Sequence, residues 1–158
     1  LVGNTPGKPG ATVVLEADAR VLALAHQGTV QYEALSGKPV GKLVNVAGRQ
    51  RMLSQRMAKF YQAINWGVAP ANGAAEMDKA RKEFIAGLEE LTSAPANTPT
   101  IKDELELGRQ QWMFFENALF NKGGDRKAAA LNVATTSERI LEVMNNATGM
   151  YELLQAKK

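Results

Sequence analysis

Apolar residues recur along most of this chain at spacings of three and four, and no stretch shows the strict alternation of a half-buried strand. Residues 12–35 carry Val14, Val21, Leu22, Leu24 and Leu35 in a helix-like pattern that Ser36-Gly-Lys-Pro39 interrupts. Pro39 fits an early position of the next helix. The spacing carries that helix from about 40 to 66, until Gly67-Val-Ala-Pro-Ala-Asn-Gly73 ends it. Residues 74–92 place Met77, Phe84, Ile85, Leu88 and Leu91 on one stripe. Thr98-Pro99 then gives a capping hydroxyl followed by proline at a first helical position. The helix it opens, 99–121, has Ile101, Leu105, Trp112, Phe115 and Leu119 on its core side. Lys122-Gly-Gly-Asp125 stops that helix and caps the last, 126–156, which uses Leu131, Ile140, Leu141, Met144, Tyr151 and Leu154.

Long amphipathic helices joined by short polar loops predict an all-α fold, an antiparallel up-down four-helix bundle with an additional N-terminal helical segment. The segment 12–35 either extends the first long helix through a break or packs as an extra helix. The length of 158 residues suits one domain with a good-sized core, placed here at 11–158. Residues 1–10, rich in Gly and Pro, are expected to form a disordered leader. The longest apolar run, Val21-Leu-Ala-Leu-Ala25, falls far short of the roughly 18 residues of a membrane span. The chain opens without an initiator methionine, as a mature exported protein or a trimmed chain does; the first is the expectation, and with it a periplasmic location.

Within 40–66 the helix has two faces. At about 100° per residue, Val46, Leu53, Met57, Phe60 and Ile64 share one direction, with Leu43 and Tyr61 at its margin, and form the predicted core face. Val44, Gly48, Arg51, Gln55, Ala58 and Gln62 lie opposite. A glycine inside a helix costs about 1 kcal/mol relative to alanine. Gly48 therefore points to close approach of a second backbone or a ligand. Arg51, almost one turn later on the same stripe, supplies a fixed positive charge. If two copies pack through this stripe, their Arg51 guanidiniums converge and repel unless a small planar anion lies between their donor forks. The competing account pairs Arg51 inside its own chain. Arg49 and Arg56, beside the core face, either form a solvated basic edge or meet acidic groups on neighbouring helices.

Other chemistry is sparse. No cysteine is present, which excludes a disulfide framework, thiolate metal ligation and c-type haem attachment. The single histidine, His26, has no catalytic setting. The scattered carboxylates include no Glu-x-x-His pair of the di-iron bundles. Neither a nucleophile elbow nor a phosphate-cradling glycine loop occurs. No enzymatic activity, metal or cofactor is expected. With 19 basic and 16 acidic residues and no block of like charge, nucleic acid is not an expected partner. Trp112, Phe114, Phe115 and Phe120 are read as core filling, as are most of the dispersed methionines.

The stretch Asn45-Val-Ala-Gly-Arg-Gln-Arg-Met-Leu-Ser-Gln-Arg-Met57 closely resembles the signature of the PilJ-type sensor domain, found at the N-terminus of type IV pilus chemotaxis transducers. That domain is related to the periplasmic domain of nitrate/nitrite sensor kinases. Gln111-Trp112 and the segment from Ser137-Glu-Arg-Ile through Tyr151-Glu152 resemble later helices of the family, so the likeness covers about 40–157. It implies a periplasmic four-helix bundle that dimerises through its first helix, here 40–66. It further implies a small anion at the dimer seam, held by an arginine from each subunit in an Ala-Gly-x-x-Arg-Met pattern. That pattern maps onto Ala47, Gly48, Arg51 and Met52, so the implied ligand-binding residues are Arg51 and Gly48, with Asn45 and Gln55 along the same seam.

Relative to the family, the upstream segment of this chain is polar and broken by Gly37 and Pro39, and the sequence stops at Gln155-Ala-Lys-Lys158 before any span or signalling module, so either a soluble stand-alone version or a cut-down piece of a transducer is expected. It is expected to work with a membrane receptor or transducer, or as a soluble binder. The expected function is a non-enzymatic sensor or binding domain for a nitrate- or nitrite-like oxyanion. The alternative is a helical-bundle interaction or structural module of a signalling system with no small-molecule ligand.

Overall fold

The computed structural model describes residues 3, 5–36, 39–121, 123 and 125–156. Among these, the helices in chain order are α1 (Lys8–Ser36), α2 (Pro39–Trp66), α3 (Gly73–Ser93), α4 (Pro99–Phe120) and α5 (Arg126–Ala156), with no strand. Each boundary has a local cause. Gly67, at φ +72°, closes α2: the Val68 N–H reaches the Ala63 carbonyl at 2.9 Å and the Gly67 N–H reaches Ile64 at 3.1 Å. This left-handed terminator satisfies carbonyls that the helix end would leave open. The Thr98 hydroxyl accepts from the Ile101 N–H at 3.3 Å, with Pro99 at the first helical position. Asp125 accepts from the Lys127 and Ala128 N–H groups at 3.3 and 3.1 Å and starts α5. Helix α1 begins at Lys8, inside the stretch that Gly and Pro content marks as leader; Pro9 is tolerated there because first-turn N–H groups have no helical partner. Leu1, Val2, Asn4 and the Gly37-Lys38 break lie outside the described residues.

Helices α2 to α5 form the up-down-up-down bundle. Lys42–Glu90 (2.5 Å), Arg49–Glu83 (2.6 Å) and Arg56–Glu76 pair α2 with α3. The partners step forward by seven on α2 and back by seven on α3, the signature of antiparallel helices in heptad register. Arg49 and Arg56 thus meet acidic groups on a neighbour rather than forming a solvated edge. Arg81 and Glu116 join α3 to α4 at 2.6 Å, and α5 packs on both α4 and α2. Among the described helices α1 packs on α2 alone, through Lys59–Asp18 and through Arg49 Nη1, which lies 3.0 and 3.3 Å from the two ring nitrogens of His26.

The core divides into two apolar clusters. One gathers Leu53, Met57, Phe84, Trp112, Phe115, Ile140 and Met144, with Phe84 stacked on Trp112 at 4.6 Å. The other holds Ala47, Leu91, Ile101, Leu105, Ala147 and Tyr151. Burial pushes the Tyr151 phenol up to about 12, and its hydroxyl donates to Asn97 Oδ1 at 2.6 Å.

Several expected core positions are exposed instead. Phe114 is 62% exposed, Leu131 69% and Ile64 42%; Phe120 also faces solvent, where Arg81 lies over its ring at 5.4 Å. Val14, Val21, Leu24 and Leu35 of α1 are exposed because α1 rests on a single neighbour. The α2 stripe assigned to the side away from the core also needs correction. Ala58 is buried in the first cluster and Gln62 donates to the Ala130 carbonyl at 2.8 Å, so much of that stripe packs on α5 of the same chain. A helix in a four-helix bundle meets two flanking partners, so its buried arc is wider than one apolar stripe.

Candidate functional site

An open groove of about 760 Å³ runs between α2 and α5. Helix α2 contributes Arg51, Met52 and Gln55; α5 contributes Thr135, Glu138, Arg139, Leu141, Glu142 and Asn145. The α5 residues follow spacings of three and four, which sets them on one face.

Arg51 is half-buried, and its Nη1 donates to Asn145 Oδ1 at 2.7 Å. This partner is a neutral amide. Among the described residues no carboxylate lies within 4.0 Å of the Arg51 guanidinium, whereas Arg49 and Arg56 on the same helix are each closed by a glutamate. A guanidinium bonded once to a neutral acceptor keeps its full charge and most of its five donors available. Gly48 lies beside it: a Cβ added there would meet only Arg51 Nη2, at 3.6 Å, within 4 Å. Among the described residues, its bare side therefore meets no backbone of another helix, and none of those helices makes the close approach expected of Gly48.

Gln55 lines the groove while its Nε2 donates to the Ser137 carbonyl at 3.1 Å. Asn45, half-buried on α2, is not among the groove's walls. The structure thus brings Arg51 and Gln55 together, sets Gly48 next to Arg51, and leaves Asn45 apart. The sequence does not single out Asn145, Glu138, Arg139 or Glu142 as site residues. Their available signal was a polar stripe on α5 at helical spacing, which resembles any solvated face until its partner helix is known.

Elsewhere, a smaller cavity of about 390 Å³ between the start of α1 and the end of α2 is walled by Val14, Leu15, Ala63, Trp66 and Val68. Among the described residues, no three His, Asp or Glu side chains gather as a metal site, and no helix is long and apolar enough to cross a membrane.

These features define an all-α bundle with a charged groove between its first and last core helices. The chain belongs to the PilJ family: the family model for the N-terminal domain of type IV pili methyl-accepting chemotaxis transducers matches residues 36–137, well over half of the chain. It is a signalling domain of a family not known for enzymes. No curated protein and no solved structure matches it. The match takes in the whole α2 wall of the groove and ends at Ser137, so most of the α5 wall lies beyond it.

Proposed function

We propose that this chain is a periplasmic ligand-sensing domain and that a small oxyanion of the nitrate or nitrite type binds at Arg51, on a seam between two copies that meet along α2. One observation carries the reading. Arg51 alone among the arginines of the 45–57 signature has no carboxylate partner among the described residues, and it sits beside the unoccupied side of Gly48. Planar oxyanions match the guanidinium fork, and a neutral amide partner leaves that fork free to bind them. The anion would relieve repulsion between two Arg51 groups and favour the arrangement of α2 helices that binds it better. A membrane receptor or transducer would receive that shift.

The test is calorimetric titration of nitrate and nitrite into wild type and Arg51→Ala, with sedimentation to follow dimerisation. Binding in wild type and its loss in the variant support the reading; the absence of heat with either anion in wild type sinks it. A second reading, an interaction module without a small ligand, draws on the exposed Val13, Val21 and Leu24 of α1, which leave an apolar helix face open. It predicts wild type without anion binding and self-association or partner capture abolished by Val21→Asp/Leu24→Asp.

A further inference from the structure

We infer that the α2/α5 groove takes a small zwitterion of the α-amino-acid type, its carboxylate on Arg51 and its ammonium on Glu138 and Glu142. This rests on the reading of Arg51 as an anion anchor and adds the chemistry of the rest of the site.

The two flanks of α2 treat charge differently. Toward α3, Lys42, Arg49 and Arg56 are each closed by a glutamate. Toward α5, the half-buried Arg51 and the solvent-exposed Arg139, Glu138 and Glu142 line one open groove, and among the described residues none of the four has an ion-pair partner within 4.0 Å. Arg139 and Glu142 stand three apart on one helix, a spacing that permits pairing, yet they do not pair. Glu138 and Glu142 stand four apart on one face, where like charges repel unless a cation lies between them.

Inside this groove, as opposed to a seam between two copies, a purely anionic guest would meet Arg51 but also two carboxylates. A purely cationic guest would meet those carboxylates but also two guanidiniums. A guest carrying both charges close together satisfies both, and Leu141 offers an apolar wall for its side chain. Asn145 keeps Arg51 turned into the groove without neutralising it. The site draws on one chain, so it predicts one ligand per chain, whereas an anion held on the two-fold seam gives one per pair.

The test is calorimetry on the full chain with glycine, L-alanine, L-serine and L-leucine, each against the matching acid without the amino group, and with nitrate. The expected result is an amino acid binding at one per chain, its deaminated acid at least about tenfold weaker. In Glu138→Gln/Glu142→Gln that difference disappears. Arg51→Ala binds neither, and circular dichroism shows both variants folded. Equal binding of amino acid and deaminated acid overturns the inference, as does amino-acid binding indifferent to the glutamate pair; both leave Arg51 as the anchor if its variant is inactive. Nitrate binding without amino-acid binding overturns the inference alone. Silence from every probe overturns this inference and the oxyanion reading together.

Discussion

Gln50 is buried against the bare Cα of Gly87: a Cβ built on Gly87 would overlap the Gln50 amide nitrogen and stand 3.1 Å from its Cδ. The glycine in α3 is therefore what lets a full-length amide side chain enter the interface with α2. Gln50 is 1% exposed, and its Oε1 meets no donor among the described residues, so the amide is held by shape more than by hydrogen bonding.

Gly87→Ala accordingly destabilises the bundle by about 1–3 kcal/mol, because the gain in helix propensity is outweighed by displacement of Gln50. Gln50→Ala in that background recovers much of the loss. Chemical denaturation of the two single variants and the double variant measures this; additive losses would show that the two side chains do not share the space.

The ion-pair ladder between α2 and α3 fixes register more than it stabilises. Arg49 and Glu83 keep about a third of their side-chain surface in water, so screening limits the pair. A double-mutant cycle with Arg49→Ala and Glu83→Ala is expected to give a coupling of about 0.5 kcal/mol, falling as salt rises toward 1 M. A coupling well above 1 kcal/mol that ignores salt would contradict this account.

Tyr151 gives the fold an alkaline limit. Its pKa is raised from 10.0 to about 12 by burial. Both folded and unfolded chains keep the phenol neutral below about pH 10, so its contribution is fully present there. Between about pH 10 and pH 12 the unfolded chain ionises first, and stability falls by up to about 2–3 kcal/mol. Tyr151→Phe loses about 1 kcal/mol at neutral pH, through the missing bond to Asn97, and flattens the alkaline decline. Denaturant midpoints measured from pH 8 to pH 12 check both parts.

Much of this architecture was legible in the residues, for reasons that can be named. Thr98-Pro99, Asp125 and Gly67 are local signals, and local signals set helix ends without reference to the rest of the chain. The stripe Ile101, Leu105, Trp112, Phe115 and Leu119 is buried throughout because α4 has one dominant apolar face. Less legible was anything that depends on which helices become neighbours. Phe114 and Leu131 look like core residues by type, but each falls on an arc that no described helix covers. Arg51 and Gly48 stand out in the sequence by spacing. Asn145 does not, since its meaning comes from lying opposite an arginine on α2, 94 positions earlier in the chain.

That opposition yields the most discriminating prediction. Asn145→Asp would place a carboxylate where a neutral oxygen now sits, 2.7 Å from Arg51 Nη1, and convert a hydrogen bond into an ion pair. If Arg51 serves only to hold α2 against α5, the exchange costs nothing: stability rises by up to about 1 kcal/mol and nothing else changes. If Arg51 exists to receive an anionic group, the same exchange supplies that anion internally. The variant then melts at a slightly higher temperature while affinity for nitrate, or for the carboxylate of an amino acid, falls by about tenfold or more. Asn145→Ala separates charge from contact: it loosens Arg51 without neutralising it, so binding weakens less than in Asn145→Asp. Thermal melts and titrations on the same three proteins decide the matter, and equal affinity in wild type and Asn145→Asp would remove Arg51 from the binding site.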